Sequence, residues 1–331
     1  MMALPLAGKR ILFFCPKTFG YENEITAELE AMGATVTFHS DKPSEHPWVK
    51  GILRLIPKLG WYFADRYFFT WLKNFGPENC DFIFIIKGEG LSPNFFKALR
   101  ERYPKAQLLL HLWDSIKNVK YTDLKLPFVT EFTSFDPVDC KSLQNVRYRP
   151  LFFLNNYLNL DPATPDKRIF FIGTLNGDRP KVISKVAESL KDDVLFDYWL
   201  FVRSKLELIL WKIFDRSIVQ LDNKRFIYAS MSREAIASHL SKCSAVLDIE
   251  HPKQTGLTMR TFEVVASGKK LVTTNKAIKD HDFYDPARVC VIDRNNPKIP
   301  SDFFELKLPP ISDSFITRYS LRGWLSEILV G

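Results

Sequence analysis

Residues 254–275 read QTGLTMRTFEVVASGKKLVTTN, and this short stretch contains the pattern of a helix followed by a strand. Apolar residues recur at helical spacing across 259–266, which predicts a helix that begins after a leading Gly256 and has one face in a core. Gly268 ends this helix, and KLVTTN (270–275) has the composition of a strand. SAVLDIE (244–250), just before the stretch, is another apolar strand. Strand, helix and strand in this order predict a parallel βαβ unit.

Two charged residues on this helix are candidates for a ligand-binding site. Arg260 and Glu263 lie one turn apart on a face next to the apolar one. The unpaired N–H groups at a helix start can hold a phosphate, and Arg260 adds a charge-assisted contact. A glutamate one turn into the helix can accept both ribose hydroxyls, so the pattern fits a nucleoside-diphosphate site. The alternative is an Arg–Glu surface pair on an ordinary βα unit, because a position in a fold does not establish function.

The alternation of apolar runs and amphipathic helices extends over the whole chain of 331 residues. It predicts two consecutive parallel βαβ arrays with a proline- and aspartate-rich linker at 158–167. The domains expected are 1–157, 168–313 and a C-terminal helix within 314–331 that returns to the first domain. The predicted strands are 9–16, 34–40, 81–87, 106–113 and 127–132, then 168–174, 194–201, 225–230, 244–250, 270–275 and 288–293.

HPKQTGLTMRTFEVVASGKKLVTTN (251–275) resembles the nucleotide-sugar motif of GT-B glycosyltransferases. It is most similar to bacterial lipopolysaccharide and capsule biosynthesis transferases, some of them described as CgeB-like, and 133–153, 170–180 and 283–294 fit the same pattern. The resemblance implies the α/β GT-B fold, with two Rossmann-like domains facing a cleft, the acceptor on the first and the donor on the second. In members with an E-x7-E motif the second glutamate contacts the ribose, a role that falls on Glu263. The position of the first glutamate is occupied by Thr255.

FFIGTLNGDRP (170–180) provides a second loop of the same kind, at the carboxyl end of a predicted strand. Open α/β sheets bind ligands at this edge. Side chains of the loop could contact a diphosphate or an acceptor, although a tight turn that needs glycine explains the sequence equally well. With the motif above, the predicted nucleotide-sugar residues are Gly173, Thr174, Asn176, Arg179, Gln254, Thr255, Gly256, Leu257, Arg260 and Glu263.

LLLHLWDS (108–115) supplies the candidates for a catalytic base. An inverting transferase needs a base for the acceptor hydroxyl, and either Asp114 or His111 at the end of this strand would suit. The alternative is a buried histidine and a helix-capping aspartate. Beyond the nucleotide sugar as co-substrate, neither a cofactor nor a metal is implied.

Composition limits the partners and the compartment. A net charge of +8 favours a polyanionic partner, but the sequence contains no recognised nucleic-acid-binding module. Five scattered cysteines without a CxxC pair indicate reduced thiols in a cytoplasmic protein. Two aromatic and basic segments, 46–76 and 199–214, could be interfacial helices on anionic lipid, or core helices with solvated basic faces.

These features together predict a glycosyltransferase at the inner face of the cytoplasmic membrane. It would move a sugar from a nucleotide-sugar donor to a surface glycan or a lipid-linked precursor. Because Thr255 replaces the first glutamate of the motif, a non-catalytic two-domain nucleotide-sugar-binding protein is the alternative.

Overall fold

The computed structural model describes residues 4–158, 160, 166–252 and 254–331. The chain divides into two compact units: unit 1 comprises Met1–Leu151 with Thr317–Gly331, and unit 2 comprises Phe152–Ile316. Most of the linker predicted at 158–167 lies outside the described residues. Among the described residues, no helix combines the length and the apolar character needed to cross a membrane.

Unit 1 is built on a six-stranded parallel sheet in the order β2-β1-β3-β4-β5-β6. Its central strands are buried apolar runs such as FIFII, as expected where helices cover both faces of a parallel sheet. The strands are β1 (Arg10–Cys15), β2 (Thr35–Ser40), β3 (Phe82–Ile86), β4 (Gln107–Leu112), β5 (Glu131–Ser134) and β6 (Val146–Tyr148). The helices are α1 (Tyr21–Ala31), α2 (Pro47–Leu55), α3 (Pro57–Phe75), α4 (Pro93–Arg102) and α5 (Pro137–Ser142).

Unit 2 has its own core and a second six-stranded parallel sheet, in the order β12-β11-β10-β7-β8-β9. The strand order reverses between β7 and β10, the kind of point at which open α/β sheets bind ligands. The strands are β7 (Arg168–Thr174), β8 (Leu195–Phe201), β9 (Phe226–Ile227), β10 (Ala245–Asp248), β11 (Lys270–Thr273) and β12 (Val289–Val291). The helices are α6 (Arg179–Ser189), α7 (Lys205–Phe214), α8 (Arg233–Ser241) and α9 (Met259–Ala266).

The chain ends in two helices, α10 (Asp313–Tyr319) and α11 (Leu321–Leu329), so the prediction of a single helix within 314–331 is wrong. Ser320 interrupts it with an extended backbone, and its hydroxyl accepts a hydrogen bond from the Gly323 N–H as the cap of α11. α11 packs on unit 1 through the buried Trp324. The buried guanidinium of Arg149 lies 3.1 Å from the Glu327 carboxylate of α11, which further fixes the helix to this unit.

Candidate functional site

The β7–α6 and β10–α9 loops lie side by side at the carboxyl edge of the unit 2 sheet. β7 and β10 are neighbouring strands, and a Cβ added at Gly177 would lie 3.4 Å from the Pro252 Cδ. Gly177 has a φ of +57°, a conformation that glycine adopts without steric cost. The structure therefore brings together the two segments from which the sequence predicted a nucleotide-sugar site.

The start of α9 is fixed by the carboxylate of Asp248 at the end of β10. Asp248 Oδ2 accepts hydrogen bonds from the hydroxyls of Thr258, at 2.6 Å, and Thr261, at 2.8 Å. Thr258 is the N-cap, so the helix begins at Met259, after Gly256 as predicted. The first amides of a helix have no partner within the helix and carry partial positive charge, which makes this end suitable for an anion.

Arg260 and Glu263 pair with each other on the first two turns of α9. Arg260 Nη1 lies 2.9 Å from Glu263 Oε2, and the side chains are 19% and 3% exposed, respectively. Arg260 also hydrogen-bonds the hydroxyl of Tyr157, whose pKa is raised to about 12, chiefly by burial and then by the nearby Glu263 charge. The two residues are therefore paired, but the alternative of a surface pair is wrong because the carboxylate is buried.

Arg294 belongs to this edge of the sheet, although the sequence did not single it out. Its guanidinium lies 2.6 Å from the Asp178 carboxylate, 2.5 Å from that of Glu250 and 3.2 Å from the Thr274 hydroxyl. Glu250 also accepts a hydrogen bond from Thr274. Arg294 thus connects the segments that follow β7, β10 and β11. In the sequence, the only indication of this contact was the pair of acidic residues, Asp248 and Glu250, at the end of SAVLDIE (244–250).

Arg179 supports the backbone of the two loops. Its Nε donates to the Ile249 carbonyl at 2.9 Å, and its Nη1 donates to the Thr174 carbonyl at 3.1 Å. Burial lowers the pKa of this guanidinium, while Asp248 and Glu250 act in the opposite direction. Because two of its nitrogens hold the ends of β7 and β10, the predicted contact of Arg179 with a diphosphate would have to come from Nη2.

The other predicted residues of the β7–α6 segment differ in how accessible they are. Gly173 lies within β7, where a Cβ would come within 2.9 Å of the Phe171 ring. Thr174 is the last residue of that strand, and the side chain of Asn176 is exposed in the loop. Asn176 is therefore the side chain of this segment that a ligand could reach most easily.

Hydrogen bonds from side chains hold the backbone of residues 254–257, just before α9. The Gln254 amide donates to the Gly256 carbonyl at 2.9 Å, and the Asn275 amide donates to the carbonyls of Thr255 and Gly256 at 3.2 and 3.3 Å. The side chain of Leu257 is buried in the core. Leu257 could therefore contribute to a ligand site only through its backbone, like Gly256, whereas the side chains of Gln254 and Thr255 are only half-buried.

In unit 1, Asp114 follows β4 at the carboxyl edge of the other sheet. Its Oδ2 lies 3.1 Å from Lys87 Nζ, and its Oδ1 accepts a hydrogen bond from the Asn118 amide at 2.7 Å. The adjacent 3₁₀ turn (Ile116–Asn118) is preceded by Ser115, so Asp114 is not the helix cap that the alternative suggested. Asp114 remains a partly exposed carboxylate held beside a lysine.

The structure places His111 inside the core of unit 1, in disagreement with its predicted role as a catalytic base. Its side chain is fully buried, Nδ1 lies 2.8 Å from the Thr133 hydroxyl, and the ring meets Trp324 edge-on at 4.9 Å between centroids. Burial lowers the pKa of His111 to about 3, with smaller contributions from Arg149 and Arg147. A buried imidazole that stays neutral matches the alternative of a core histidine.

The loop after β3 is held by buried charges next to Asp114. Lys87 and Gly88 both have positive φ values, +63° and +60°. The Gly88 carbonyl accepts from the fully buried Lys125 Nζ at 2.7 Å, and the Glu89 N–H donates to Asp41 Oδ2 at 3.1 Å. Burial lowers the pKa of Lys125 to about 8, partly offset by the charges of Asp41 and Glu89. These contacts fix the backbone that positions Lys87 beside Asp114.

No protein-family model matches the sequence, and no curated protein is similar to it at the sequence level. Solved structures, in contrast, match almost the whole chain. Ligand-free OtsA has 11% sequence identity and a TM-score of 0.65 over 97% of this chain and 99% of its own. HepE of Anabaena in complex with UDP and glucose has 13% identity and a TM-score of 0.59 over 97% and 98% of the two chains.

A glycosyltransferase from Rickettsia africae is similar to the same extent, with 13% identity and a TM-score of 0.59 over 97% of both chains. Similarity at this level of identity shows the fold. The chain has the α/β fold of GT-B glycosyltransferases, with a six-stranded parallel sheet in each unit, which confirms the predicted fold class.

Proposed function

We propose that the chain is a glycosyltransferase that binds a nucleotide-sugar donor at the carboxyl edge of β7 and β10. The observation that carries this proposal is the pair of the half-buried Arg260 and the buried Glu263 on the first two turns of α9, beside the point where the strand order reverses. Support comes from the GT-B fold and from HepE, a neighbour of the same fold that has been solved with UDP-glucose.

In the proposed complex, the diphosphate lies at the start of α9 and the ribose hydroxyls lie against Glu263. A guanidinium has five N–H donors, so Arg260 can bind phosphate oxygens while it keeps a contact with Glu263. A carboxylate has two oxygens and can accept both ribose hydroxyls. The predicted residues of 173–179 and 254–257 would border this donor.

During transfer, the bond between the anomeric carbon and the β-phosphate oxygen breaks, and an acceptor oxygen forms the new glycosidic bond. The departing nucleoside diphosphate gains negative charge, which Arg260 and the helix start would stabilise. If the reaction inverts the anomeric centre, Asp114 is the residue proposed to take the acceptor proton. Since arginine supplies the positive charge, we propose a metal-independent hexosyl or related transfer with no cofactor besides the nucleotide sugar.

The acceptor we propose is a growing surface glycan or its lipid-linked precursor, of the lipopolysaccharide or capsule type. The protein would work at the inner face of the cytoplasmic membrane, in contact with anionic lipid and without a nucleic-acid partner. The net charge of +8 and the basic amphipathic segment 46–76 support this location.

Thermal unfolding of the purified protein with a panel of nucleotides and nucleotide sugars, including UDP-glucose, tests the donor site. A ligand at 100-fold its Kd adds about 2.7 kcal/mol to the free energy of unfolding, so binding should raise Tm clearly. The Arg260→Ala variant is the control and should lose the shift. If no nucleotide raises Tm, the proposal fails.

Turnover of the donor that binds then separates an enzyme from a binding protein. We expect release of nucleoside diphosphate, accelerated by membrane-glycan extracts that contain the acceptor. Binding without any release would instead favour the non-catalytic alternative, for which Thr255 in place of the first glutamate of the motif is the supporting observation.

A further inference from the structure

Helices α2 and α3 form a continuous amphipathic surface on unit 1. They meet at Ile56, whose φ of −129° and ψ of 68° interrupt the helix, and a proline begins each of them. Their inner face is part of the core: Leu53, Trp61 and Phe68 are buried. Because this face packs on the sheet, the helices present a fixed outer face.

The outer face carries large apolar side chains that are unusually exposed. Trp48, Leu55, Tyr62 and Phe63 are 77%, 73%, 76% and 65% exposed. Along the two helices the exposed apolar positions follow helical spacing, so they form a stripe instead of scattered single residues. The further exposed apolar residues of the two helices are Ile52, Ile56, Leu59, Tyr67 and Phe69, with Phe75 at the end of α3. Soluble monomers rarely expose a continuous apolar patch of this kind without a partner.

The charges on this surface have one dominant sign. Residues 47–75 contain five basic side chains, Lys50, Arg54, Lys58, Arg66 and Lys73, and one acidic side chain, Asp65. Asp65 faces the interior: it hydrogen-bonds Ser92, and burial raises its pKa. Just before α2, Glu45 pairs with Lys50 at 2.6 Å. The other four basic side chains leave the exposed charge of the surface positive.

Comparison with α7 in unit 2 shows why the positive charge of the α2–α3 surface matters for identifying its partner. It also exposes an apolar stripe, which includes Leu206, Ile209, Ile213 and Phe214. Its own charged residues nearly balance, with Lys205 and Lys212 against Glu207. Exposed apolar area alone does not identify a partner for α7, whereas α2–α3 combines such area with a strong positive excess.

We propose that the outer face of α2–α3 docks on an anionic lipid bilayer, with both helices lying in the plane of the interface. Apolar side chains would enter the boundary between headgroups and acyl chains, while the lysines and arginines meet lipid phosphates. Trp48 and Tyr62 suit this position because tryptophan and tyrosine favour the interface of a bilayer with water. The inference deepens the proposed function and rests on it only for the idea that the acceptor is carried on a lipid.

The test is co-sedimentation of the full-length protein with vesicles, without any donor present. Binding is expected with phosphatidylcholine vesicles that contain phosphatidylglycerol, and it should weaken as salt screens the charges. One variant combines Lys50→Glu, Arg54→Glu and Lys58→Glu. A basic residue near an anionic surface contributes about one kcal/mol, so this variant should bind roughly a hundredfold more weakly.

Two control variants make the result specific to this surface. Lys97→Glu, Lys105→Glu and Lys141→Glu produce the same change in net charge at exposed sites elsewhere in unit 1 and should bind almost like the wild type. Ile213→Ser with Phe214→Ser removes exposed apolar area from α7 and should also leave binding nearly unchanged. In contrast, Trp48→Ser with Tyr62→Ser and Phe63→Ser should abolish it.

Three outcomes would overturn the proposal. The first is unchanged vesicle binding in the α2–α3 variants, and the second is an equal loss in a control variant. The third is a wild-type dimer that these substitutions convert to a monomer without affecting vesicle binding, which would make a second copy the partner. Thermal unfolding with nucleotides is measured on the same samples, so a failure of the lipid surface and a failure of the donor site are recognised separately.

Discussion

The guanidinium of Arg260 contacts the carboxylate of Glu263 across one turn of α9, with 2.9 Å between Nη1 and Oε2. The buried carboxylate and the half-buried guanidinium lose hydration on folding, and their mutual attraction compensates only when both partners are present. Replacing one partner therefore has a different consequence from replacing both. A donor nucleotide that approaches this turn would meet a positive and a negative group already held in position by Tyr157 and the helix.

Glu263→Gln should weaken nucleotide binding. The substitution keeps the shape of the side chain but removes the charge and one acceptor. Hydrogen bonds to charged groups contribute roughly 1.5–3 kcal/mol, so affinity should fall about ten- to a hundredfold. Calorimetric titration with a nucleoside diphosphate and with the bare nucleoside should show the loss for both, because both contain the ribose. Glu188→Gln on α6 is the control, and equal affinities for all three proteins would contradict a ribose contact.

Arg260→Ala should reduce binding of nucleoside diphosphate far more than binding of the nucleoside, because the proposed partner of Arg260 is phosphate. The same titrations measure this difference. An equal effect on both ligands would assign Arg260 a purely structural role.

The stability of the Arg260→Ala variant provides a separate prediction. Removal of the guanidinium leaves Glu263 buried without this partner, which should lower the free energy of unfolding by about 3 kcal/mol. Breaking an exposed pair would lower it by at most about 1 kcal/mol. Adding Glu263→Gln should recover part of the loss, since no unpaired charge is then buried. Urea unfolding of the two single variants and the double variant gives the coupling. Additive losses would show that the pair contributes little.

Much of the fold could be predicted because its strands are buried on both faces. Such strands appear in the sequence as continuous apolar runs, as in β3 and β10. β6 (Val146–Tyr148) was missed because it is a short, half-buried edge strand with a central arginine. The strand predicted at 127–132 begins later, as β5, because the segment before it forms a 3₁₀ turn at Leu126–Phe128.

The candidate site was less accessible to sequence analysis, because it depends on tertiary contacts. Spacing placed Arg260 and Glu263 on one side of a helix, but only packing shows that the carboxylate is buried. Arg294 contacts Asp178, which lies 116 residues away in the sequence, and no local sequence pattern indicates this contact. For His111 the sequence predicted a site residue where there is none. Its position near a strand end suggested a catalytic base, whereas the imidazole is buried in the core.

Asp114→Asn tests the proposed base of an inverting reaction. A positioned general base contributes about a hundred- to ten-thousandfold to the rate, so turnover should fall by that order while donor affinity stays the same. Steady-state kinetics with the donor that binds, together with titration of the variant, measure both quantities. Asp123→Asn, an exposed aspartate in the same unit, is the control. Unchanged turnover would remove Asp114 from the reaction.

His111→Asn should change the dependence of stability on pH without abolishing activity. Wild-type His111 has a pKa of about 3 in the folded state, against about 6.5 for an ordinary histidine. Between these values the unfolded chain binds a proton that the folded protein does not, so His111 makes the wild type lose stability as pH falls, by up to about 1.4 kcal/mol per pH unit. Above pH 6.5 both states are neutral and this contribution is constant.

Asparagine can still approach the Thr133 hydroxyl, but it has no proton to gain in this range. Between pH 6.5 and pH 5, the free energy of unfolding should therefore fall by about 1.6 kcal/mol more in the wild type than in His111→Asn. Carboxylates that titrate in this range affect both proteins alike and cancel in the comparison. Urea unfolding at several pH values measures the difference. Parallel profiles would mean that His111 is protonated in the folded protein, and a loss of turnover at constant donor affinity would return it to the list of catalytic candidates.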